Sequence, residues 1–367
     1  MFSPLDHHFM ARALELAELG RYTTQPNPRV GCVIANSERL VGEGWHRKKG
    51  EAHAEPLALA AAGEQARGAT AYVTLEPHCF HGRTPPCTDA LIKAGVRRVV
   101  CAMADPHPRV AGAGIEQLQA AGIQVDVGLL EQSAIALNRG FVKRHREGLP
   151  FVTVKLASSV DGRTALANGA SQWITGPEAR ADVQRLRAAS CAIVTGIGTV
   201  SSDDPSLTVR DPGIDTLGRQ PVRVVLDTSL RLSPHAKLLQ QPGQTIVVHA
   251  QDHDRSALTG AGAELWRAPT RDGLIDIEAM LRELARRECN EVLIEAGPTL
   301  AGSVLAGAWA DELLLYLAPM WLGDAARPLA QFPPLTQLDD AYRFRWVETR
   351  RVGSDLRLRL APDKSKS

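Results

Sequence analysis

A chain of 367 residues exceeds what one hydrophobic core usually serves, about 250 to 300 residues, so two domains are expected. With 44% hydrophobic and 23% charged residues, and 42 Lys and Arg against 41 Asp and Glu, the composition is globular and nearly neutral, which argues against a nucleic-acid partner. Residues Met1 to Met10 carry Asp6 and two histidines without an apolar leader, and no run approaches the roughly 18 apolar residues of a membrane helix; no membrane association and a cytoplasmic location are therefore expected.

In chain order, the hydrophobic pattern predicts a helix at Arg12 to Leu19, a strand at Val30 to Ala35, a helix at Glu55 to Ala62 and a strand at Ala71 to Leu75. A helix at Asp89 to Ala94, ended by Gly95, leads to a strand at Val96 to Ala102, a helix at Ile115 to Ala121 and a strand at Val125 to Val127. The rhythm is α/β. One further helix, Glu131 to Arg146, is broken by Gly148, Leu149 and Pro150, which sets the expected boundary between a domain at 1–148 and another at 149–363. Beyond it, strands are expected at Phe151 to Leu156, Cys191 to Gly196, Val222 to Asp227, Thr245 to His249 and Glu291 to Glu295. Helices are expected at Glu178 to Ala188 and Ile277 to Glu288, and strands again at Leu313 to Leu317 and Phe344 to Leu360.

Six cysteines spread over this length are not the dense framework of a secreted disulfide scaffold. Cys79 and Cys87 are close enough to serve a metal, whereas Cys32, Cys101, Cys191 and Cys289 are expected as small buried hydrophobes.

His53-Ala54-Glu55 opens a helix, and about two dozen residues later comes Thr74-Leu75-Glu76-Pro77-His78-Cys79-Phe80-His81-Gly82-Arg83-Thr84-Pro85-Pro86-Cys87. That order matches the zinc-deaminase pattern of a His-x-Glu followed by a proline-led ligand segment. Hydrolytic deamination needs hydroxide at neutral pH; zinc lowers its bound water's pKa to about 7 while three protein ligands leave one position open. A carboxylate must then carry protons to the ring nitrogen and the departing ammonia, and Glu55 is the candidate.

In the second half no Gly-x-Gly-x-x-Gly follows a strand, so a Rossmann site is not supported. Instead Glu295-Ala296-Gly297-Pro298-Thr299-Leu300-Ala301-Gly302 follows a strand and opens a helix, exposing N–H groups suited to phosphate. Arg187 and Arg210 are suited to a phosphate dianion, and Asp203 to a sugar hydroxyl or an iminium. Lys155 lies inside an apolar strand, where an ammonium needs a partner or ligand, and Asp204 reads as a turn residue before Pro205.

Pro26-Asn27-Pro28-x-Val30-Gly31, Gly42-x-Gly44-x-His46, His53-Ala54-Glu55, Thr74-Leu75-Glu76-Pro77 and Gly82-Arg83-Thr84-Pro85-Pro86-Cys87 resemble the deaminase motifs of the bifunctional riboflavin-biosynthesis deaminase/reductases. Lys155-Leu156-Ala157-Ser158-Ser159-x-Asp161-Gly162-Arg163, Ser171-x-Trp173-Ile174-Thr175 and the segment Thr199 to Arg210 are similar to the reductase half of that family. The resemblance implies a cytidine-deaminase-like three-layer αβα domain followed by a dihydrofolate-reductase-like domain, with Zn2+ and NADPH as cofactors. It implies zinc on His53 and Cys87, a proton shuttle at Glu55, and pyrimidine contacts from Asn27, His46 and Arg83. It also implies NADPH near Ala157, Trp173, Thr199 and Gly297, Pro298, Thr299, Leu300, Ala301, Gly302 and Ser303. The sugar phosphate is implied near Ser171, Arg187, Asp203, Leu207, Arg210 and Glu295, with Lys155 added by its setting. A homodimer or homotetramer acting on a pyrimidine ribose phosphate is the implied assembly.

One segment departs from the family. Where the family reads Glu-Pro-Cys-Ser-His-x-Gly, this chain reads Glu76-Pro77-His78-Cys79-Phe80-His81-Gly82. The third zinc ligand is then Cys79, through a local register slip, or His78, which holds the family position; Cys79 is preferred because a thiolate neutralises more of the ion's charge. Two rival functions remain at this point: a nucleic-acid deaminase, opposed by the neutral charge and 5% aromatic content, and a reductase whose deaminase half is impaired by the His78-Cys79 change.

Overall fold

A computed structural model describes residues 1–363 apart from Arg83, His253 and Asp254. The chain divides into two compact units, Met1–Gly148 and Leu149–Ser367.

The first unit begins with helix α1 (Pro4–Glu18), started earlier than its apolar pattern by a capping box between Ser3 and Asp6. Strands β1 (Gly31–Asn36), β2 (Arg39–Trp45), β3 (Thr70–Val73), β4 (Arg98–Cys101) and β5 (Gln124–Val127) form one sheet in the order β2-β1-β3-β4-β5. β1 runs antiparallel to both β2 and β3, and β3, β4 and β5 are parallel. Helices α2 (Ala54–Ala62), α3 (Cys87–Ala94), α4 (Ala113–Ala120), α5 (Glu131–Leu137) and α6 (Arg139–Glu147) complete it.

The period-two alternation of β1 sorts its side chains into two cores. Val33 and Ala35 pack with Phe9, Met10 and Leu16 of α1 and with Phe141 and Val142, while Cys32 and Ile34 pack with Ala54 and Ala58 of α2 and with Leu91 and Leu118. Helices on both faces of one sheet give the three-layer αβα arrangement.

Two features position the site. The Cβ that a side chain at Gly42 would carry falls 2.3 Å from the Ala58 carbonyl oxygen, and one at Gly44 falls 2.7 Å from the Ala58 nitrogen, so α2 lies directly on β2 with no side-chain layer between them. The expected single helix over Glu131 to Arg146 is interrupted at Asn138, whose side chain accepts from the Arg29 N–H at 2.8 Å and donates to the Arg29 carbonyl at 2.9 Å. Asn138 thereby acts as a strand partner for residue 29, with its own backbone outside the helical region. Strand β2 itself was not expected; its exposed first residues hide the alternation.

The second unit contains β6 (Phe151–Ser159), β7 (Arg163–Ala165), β8 (Ala192–Gly196), β9 (Val222–Leu226), β10 (Thr245–His249), β11 (Ala263–Arg267), β12 (Thr270–Arg271), β13 (Leu274–Ile275), β14 (Glu291–Glu295), β15 (Glu312–Ala318), β16 (Arg327–Pro328), β17 (Phe344–Val352) and β18 (Asp355–Pro362). Its helices are α7 (Pro177–Ala189), α8 (Ile197–Asp203), α9 (Ser256–Gly260), α10 (Ile277–Arg286) and α11 (Pro298–Ala306). Nine strands make one sheet, β11-β10-β9-β8-β14-β6-β15-β18-β17; β11 through β15 are parallel, and the β17–β18 hairpin closes the edge antiparallel. α10 and α11 cover one face over Val152, Val154, Val194, Val224 and Ile294, and α7, α8 and α9 cover the other over Ile193, Val225, Val247 and Tyr316. Such a parallel sheet leaves its ligand crevice beyond the carboxyl ends of the strands.

Candidate active sites

In the first unit, two helix starts meet. His53 is the N-cap of α2 and Cys87 is the first residue of α3, so both side chains stand where helix N-termini favour negative charge. The ligand atoms of His53, His78 and Cys87 lie within 4.8 Å of one another. Ligand atoms around one zinc sit about 3.3–3.8 Å apart, so the trio requires closure by about 1 Å. Cys79 is not part of this group, which reverses the preference drawn from the sequence. The Cys87 N–H bonds the His78 carbonyl at 2.8 Å, and this turn brings the His78 ring, not the Cys79 thiol, into the group with His53 and Cys87.

Hydrogen bonds orient the ligands. His53 Nδ1 faces Cys87 Sγ at 3.2 Å and its Nε2 faces Thr84 Oγ1 at 3.2 Å, so a metal held on Nδ1 would leave Nε2–H to be oriented by the Thr84 hydroxyl. Burial, with His46 and His78 nearby, pushes His53 down to about 4, so the ring is neutral. Burial, reinforced by Glu55, pushes the Cys87 thiol up, so a thiolate there needs a cation beside it. His78 Nδ1 and Glu55 Oε2 are buried without a hydrogen-bond partner among the described residues. Unmet imidazole nitrogen, a thiol that needs a cation and an unmet carboxylate oxygen fit a zinc ion with its water.

Glu55 is 3% exposed, and burial raises its carboxyl to about 6. Asn27 and His46 are joined: His46 Nδ1 faces the Ala52 carbonyl at 3.1 Å, so its Nε2 accepts from Asn27 Nδ2 at 3.0 Å and the amide oxygen of Asn27 is left for a ligand. Arg83, the third expected pyrimidine contact, lies outside the described residues.

The sequence reading missed Thr84, although it stands within the motif, and the role of Glu76. The Glu76 carboxylate accepts from the N–H groups of Asp105, Gly112 and Gly114 at 2.9–3.0 Å and so holds the 105–114 loop against the ligand segment. Phe80 was also missed: its ring lies 4.2 Å from that of His78, with the Arg109 guanidinium 3.9 Å from the Phe80 ring. Of the other cysteines, Cys32, Cys101 and Cys289 are buried and Cys191 is partly buried.

In the second unit a cavity of about 1220 Å³ opens at the carboxyl ends of the parallel strands. Lys155 and Ala157 reach it from β6, Glu295 from β14, and Arg187 from α7. Ser171 and Trp173 line it from the segment before α7, Thr199 and Asp203 from α8, and Leu207 and Arg210 from the stretch that follows. Gly297, Pro298, Thr299, Leu300 and Ser303 line it at the start of α11, where Gly297 N–H donates to Thr199 Oγ1 at 3.1 Å. Ala301 and Gly302 do not: both are buried on the inner face of α11, and a Cβ at Gly302 would fall 1.8 Å from the Gln331 carbonyl oxygen. Helical periodicity turns the side-chain positions of residues 301 and 302 inward.

Arg187 and Glu295 pair at 2.6 Å and 2.9 Å on the cavity wall. Burial pushes Lys155 down from its ordinary value, opposed by Glu295. Burial alone would raise Glu295, but Arg187, Lys155 and Arg210 hold it below the usual range. Asp204, with φ 38°, ends α8 and accepts from the Lys237 N–H at 2.8 Å, as a turn residue does. The N-terminus of α11, the cations and an open cleft together fit a phosphate-bearing dinucleotide.

A zinc centre with a buried carboxylate on an αβα sandwich, followed by a parallel-sheet domain with a dinucleotide cleft, defines a two-domain enzyme: a zinc-binding deaminase joined to an NADPH-dependent reductase. Residues 3–103 match the cytidine and deoxycytidylate deaminase zinc-binding region, and residues 150–358 match the RibD C-terminal domain. The chain is 50% identical over 364 residues to the riboflavin biosynthesis protein RibD of Escherichia coli, covering 97% of this chain and 99% of that one, and 47% identical to that of Haemophilus influenzae, covering 98% of each. A solved Acinetobacter baumannii RibD superposes with a TM-score of 0.92 at 44% identity, covering 98% of this chain and 99% of that one. The Thermotoga maritima deaminase/reductase superposes with a TM-score of 0.86 at 33% identity, covering 98% and 99%. The chain belongs to the RibD family of bifunctional riboflavin-biosynthesis enzymes. Zn2+ and NADPH are its cofactors. Nothing favours a reductase-only reading, since His53, His78 and Cys87 remain together beside Glu55. No described helix is long and apolar enough to cross a membrane.

Proposed function

We propose that residues 1–148 hydrolytically deaminate 2,5-diamino-6-ribosylamino-4(3H)-pyrimidinone 5′-phosphate and that residues 149–363 then reduce the ribosyl side chain to give 5-amino-6-ribitylaminouracil 5′-phosphate. The observation that carries the reading is the cluster of His53, His78 and Cys87 beside a buried, protonatable Glu55, in one chain with the reductase cleft.

In the first step His53, His78 and Cys87 would hold the ion, which when bound would supply an activated water at neutral pH. Glu55, buried and protonatable near neutrality, would carry a proton to the ring nitrogen and another to the departing ammonia. Asn27, held by His46, and Arg83 orient the pyrimidine. Cys79 stands beside the site without binding metal.

In the second step Arg210 and the Arg187–Glu295 pair, with Ser171 and Leu207, seat the ribose phosphate. Lys155 donates a proton to the ring oxygen as the sugar opens, and Asp203 steadies the cationic imine so formed. NADPH, when bound, would supply the hydride for the former anomeric carbon. Ala157, Trp173, Thr199 and the 297–300 turn with Ser303 hold the dinucleotide.

A homodimer or homotetramer in the cytoplasm is the assembly supported by the family relationship. The test is zinc content per chain, with ammonia release followed by NADPH oxidation from the diaminopyrimidinone ribose phosphate. Metal-free protein from zinc-supplemented medium, or reduction without prior ammonia release, would overturn the reading.

A further inference from the structure

Of the three clustered ligands, His53 has a partner for its second nitrogen, Thr84 Oγ1 at 3.2 Å, and Cys87 is fixed by the first turn of α3. His78 has neither hold. Its Nδ1 is buried without a hydrogen-bond partner, and its Nε2 has none among the described residues either. A metal-binding imidazole is ordinarily fixed by a hydrogen bond on its other nitrogen, since rotation about its two side-chain torsions swings the ligand atom away from the ion. The thiol that the family carries at this position has one torsion fewer to fix.

What the His78 ring has instead is aromatic packing. Phe80, two residues on, places its ring centroid 4.2 Å from that of His78, with the planes inclined by 63°. The chain doubles back over the pair: a Cβ at Gly82 would lie 3.7 Å from His78 Nε2 and 3.8 Å from Phe80 Cε2, and the Gly82 N–H is tied to the Thr84 carbonyl at 3.2 Å. Phe80 is itself held, with the Arg109 guanidinium 3.9 Å from its centroid. Arg109 belongs to the 105–114 loop that the Glu76 carboxylate anchors.

The two positions depart from the family together. Against Glu-Pro-Cys-Ser-His-x-Gly, residue 78 exchanges a thiol for an imidazole, and residue 80 exchanges an imidazole for a phenyl ring. The two rings so placed are the ones in contact. A phenyl ring cannot compete for the ion, yet its negative face and positive edge restrict the tilt of a ring beside it.

We propose that Phe80 is a positioning residue for His78: its ring fixes the imidazole in the orientation that groups it with His53 and Cys87, the task that Thr84 performs for His53. The proposal rests on the reading of His78 as a zinc ligand.

Zinc affinity of the full chain, measured by chelator competition, tests it, together with the visible absorption of Co2+-substituted protein. Phe80→Leu should weaken zinc binding by about tenfold to a hundredfold, as loss of a ligand's orienting partner does, and should shift the Co2+ bands. Phe80→Tyr keeps the ring, and should stay within about twofold of wild type with the bands unmoved. The separating background is His78→Cys, which returns the family's thiol. There Phe80→Leu should change zinc affinity by less than about twofold, because no imidazole remains to be positioned. Wild-type affinity in Phe80→Leu, or an equal loss in both backgrounds, would reduce Phe80 to loop packing and overturn the proposal. Wild-type affinity in His78→Ala would instead overturn the ligand reading beneath it.

Discussion

Arg187 and Glu295 form a two-pronged pair, Nε to Oε1 at 2.6 Å and Nη2 to Oε2 at 2.9 Å, with each side chain only 11% exposed. Removing one partner leaves the other charge buried and uncompensated, which costs about 3–5 kcal/mol. Glu295→Gln should lower reductase-domain stability by about that amount in urea unfolding at pH 7. Because the Glu295 carboxyl lies below its ordinary value, its contribution is present above the usual carboxylate range and is lost as pH falls. The gap between variant and wild type should therefore narrow in acid.

His78→Ala should lose zinc and ammonia release together, because its imidazole completes the trio with His53 and Cys87. Cys79→Ser should keep both. Metal analysis of the purified variants, with ammonia release measured alongside, distinguishes the two ligand assignments, and the reverse pattern would return the role to Cys79.

This pair also shows how far the sequence could be read. Residue types and spacing place His53, Glu55 and Cys87, since each lies at a helix start marked by local pattern. Whether residue 78 or 79 joins His53 and Cys87 depends on backbone hydrogen bonds from Cys87 N and Thr88 N to the His78 carbonyl, which span nine and ten positions and leave no local signature. Thr84 was hidden for the same reason, because its partner is His53, 31 residues away. In the reductase half, β10 and β14 were legible to the residue, as buried parallel strands with an apolar centre between polar ends should be. The inward turn of Ala301 and Gly302 was not, because glycine in a turn motif suggests phosphate as readily as close packing.

Glu55→Gln should reduce ammonia release by about 10²- to 10⁴-fold while zinc content stays near one per chain, because the carboxylate moves protons and is not among the clustered ligands. NADPH oxidation with the deaminated substrate should match wild type. Ammonia release at the wild-type rate would remove Glu55 from the mechanism.

Asp6 accepts from Tyr72 at 2.8 Å, Arg98 at 2.7 Å and the Ser3 N–H at 2.8 Å, tying α1 to β3 and β4. Burial alone would raise its carboxyl, but these donors hold it well below the usual range. The stability it supplies is complete above about pH 4 and is lost as pH falls through the lower folded value. Asp6→Asn should cost the deaminase domain about 2–4 kcal/mol at pH 7. The difference should shrink toward pH 3 when unfolding is followed across that range.

The contact of α2 with Gly42 and Gly44 has a consequence for the metal-free protein. A helix resting on bare backbone has no side-chain layer in which to slide: moving β2 by one residue would drive the Cβ of Val41 or Glu43 into the backbone of Ala58. His53 and Glu55 are thus held by the absence of atoms beneath them, and the ion has little helix to organise when it arrives. Hydrogen exchange should then show the amides of Ala58–Ala62 as slow after chelation as before it, with any loosening confined to the 78–86 segment.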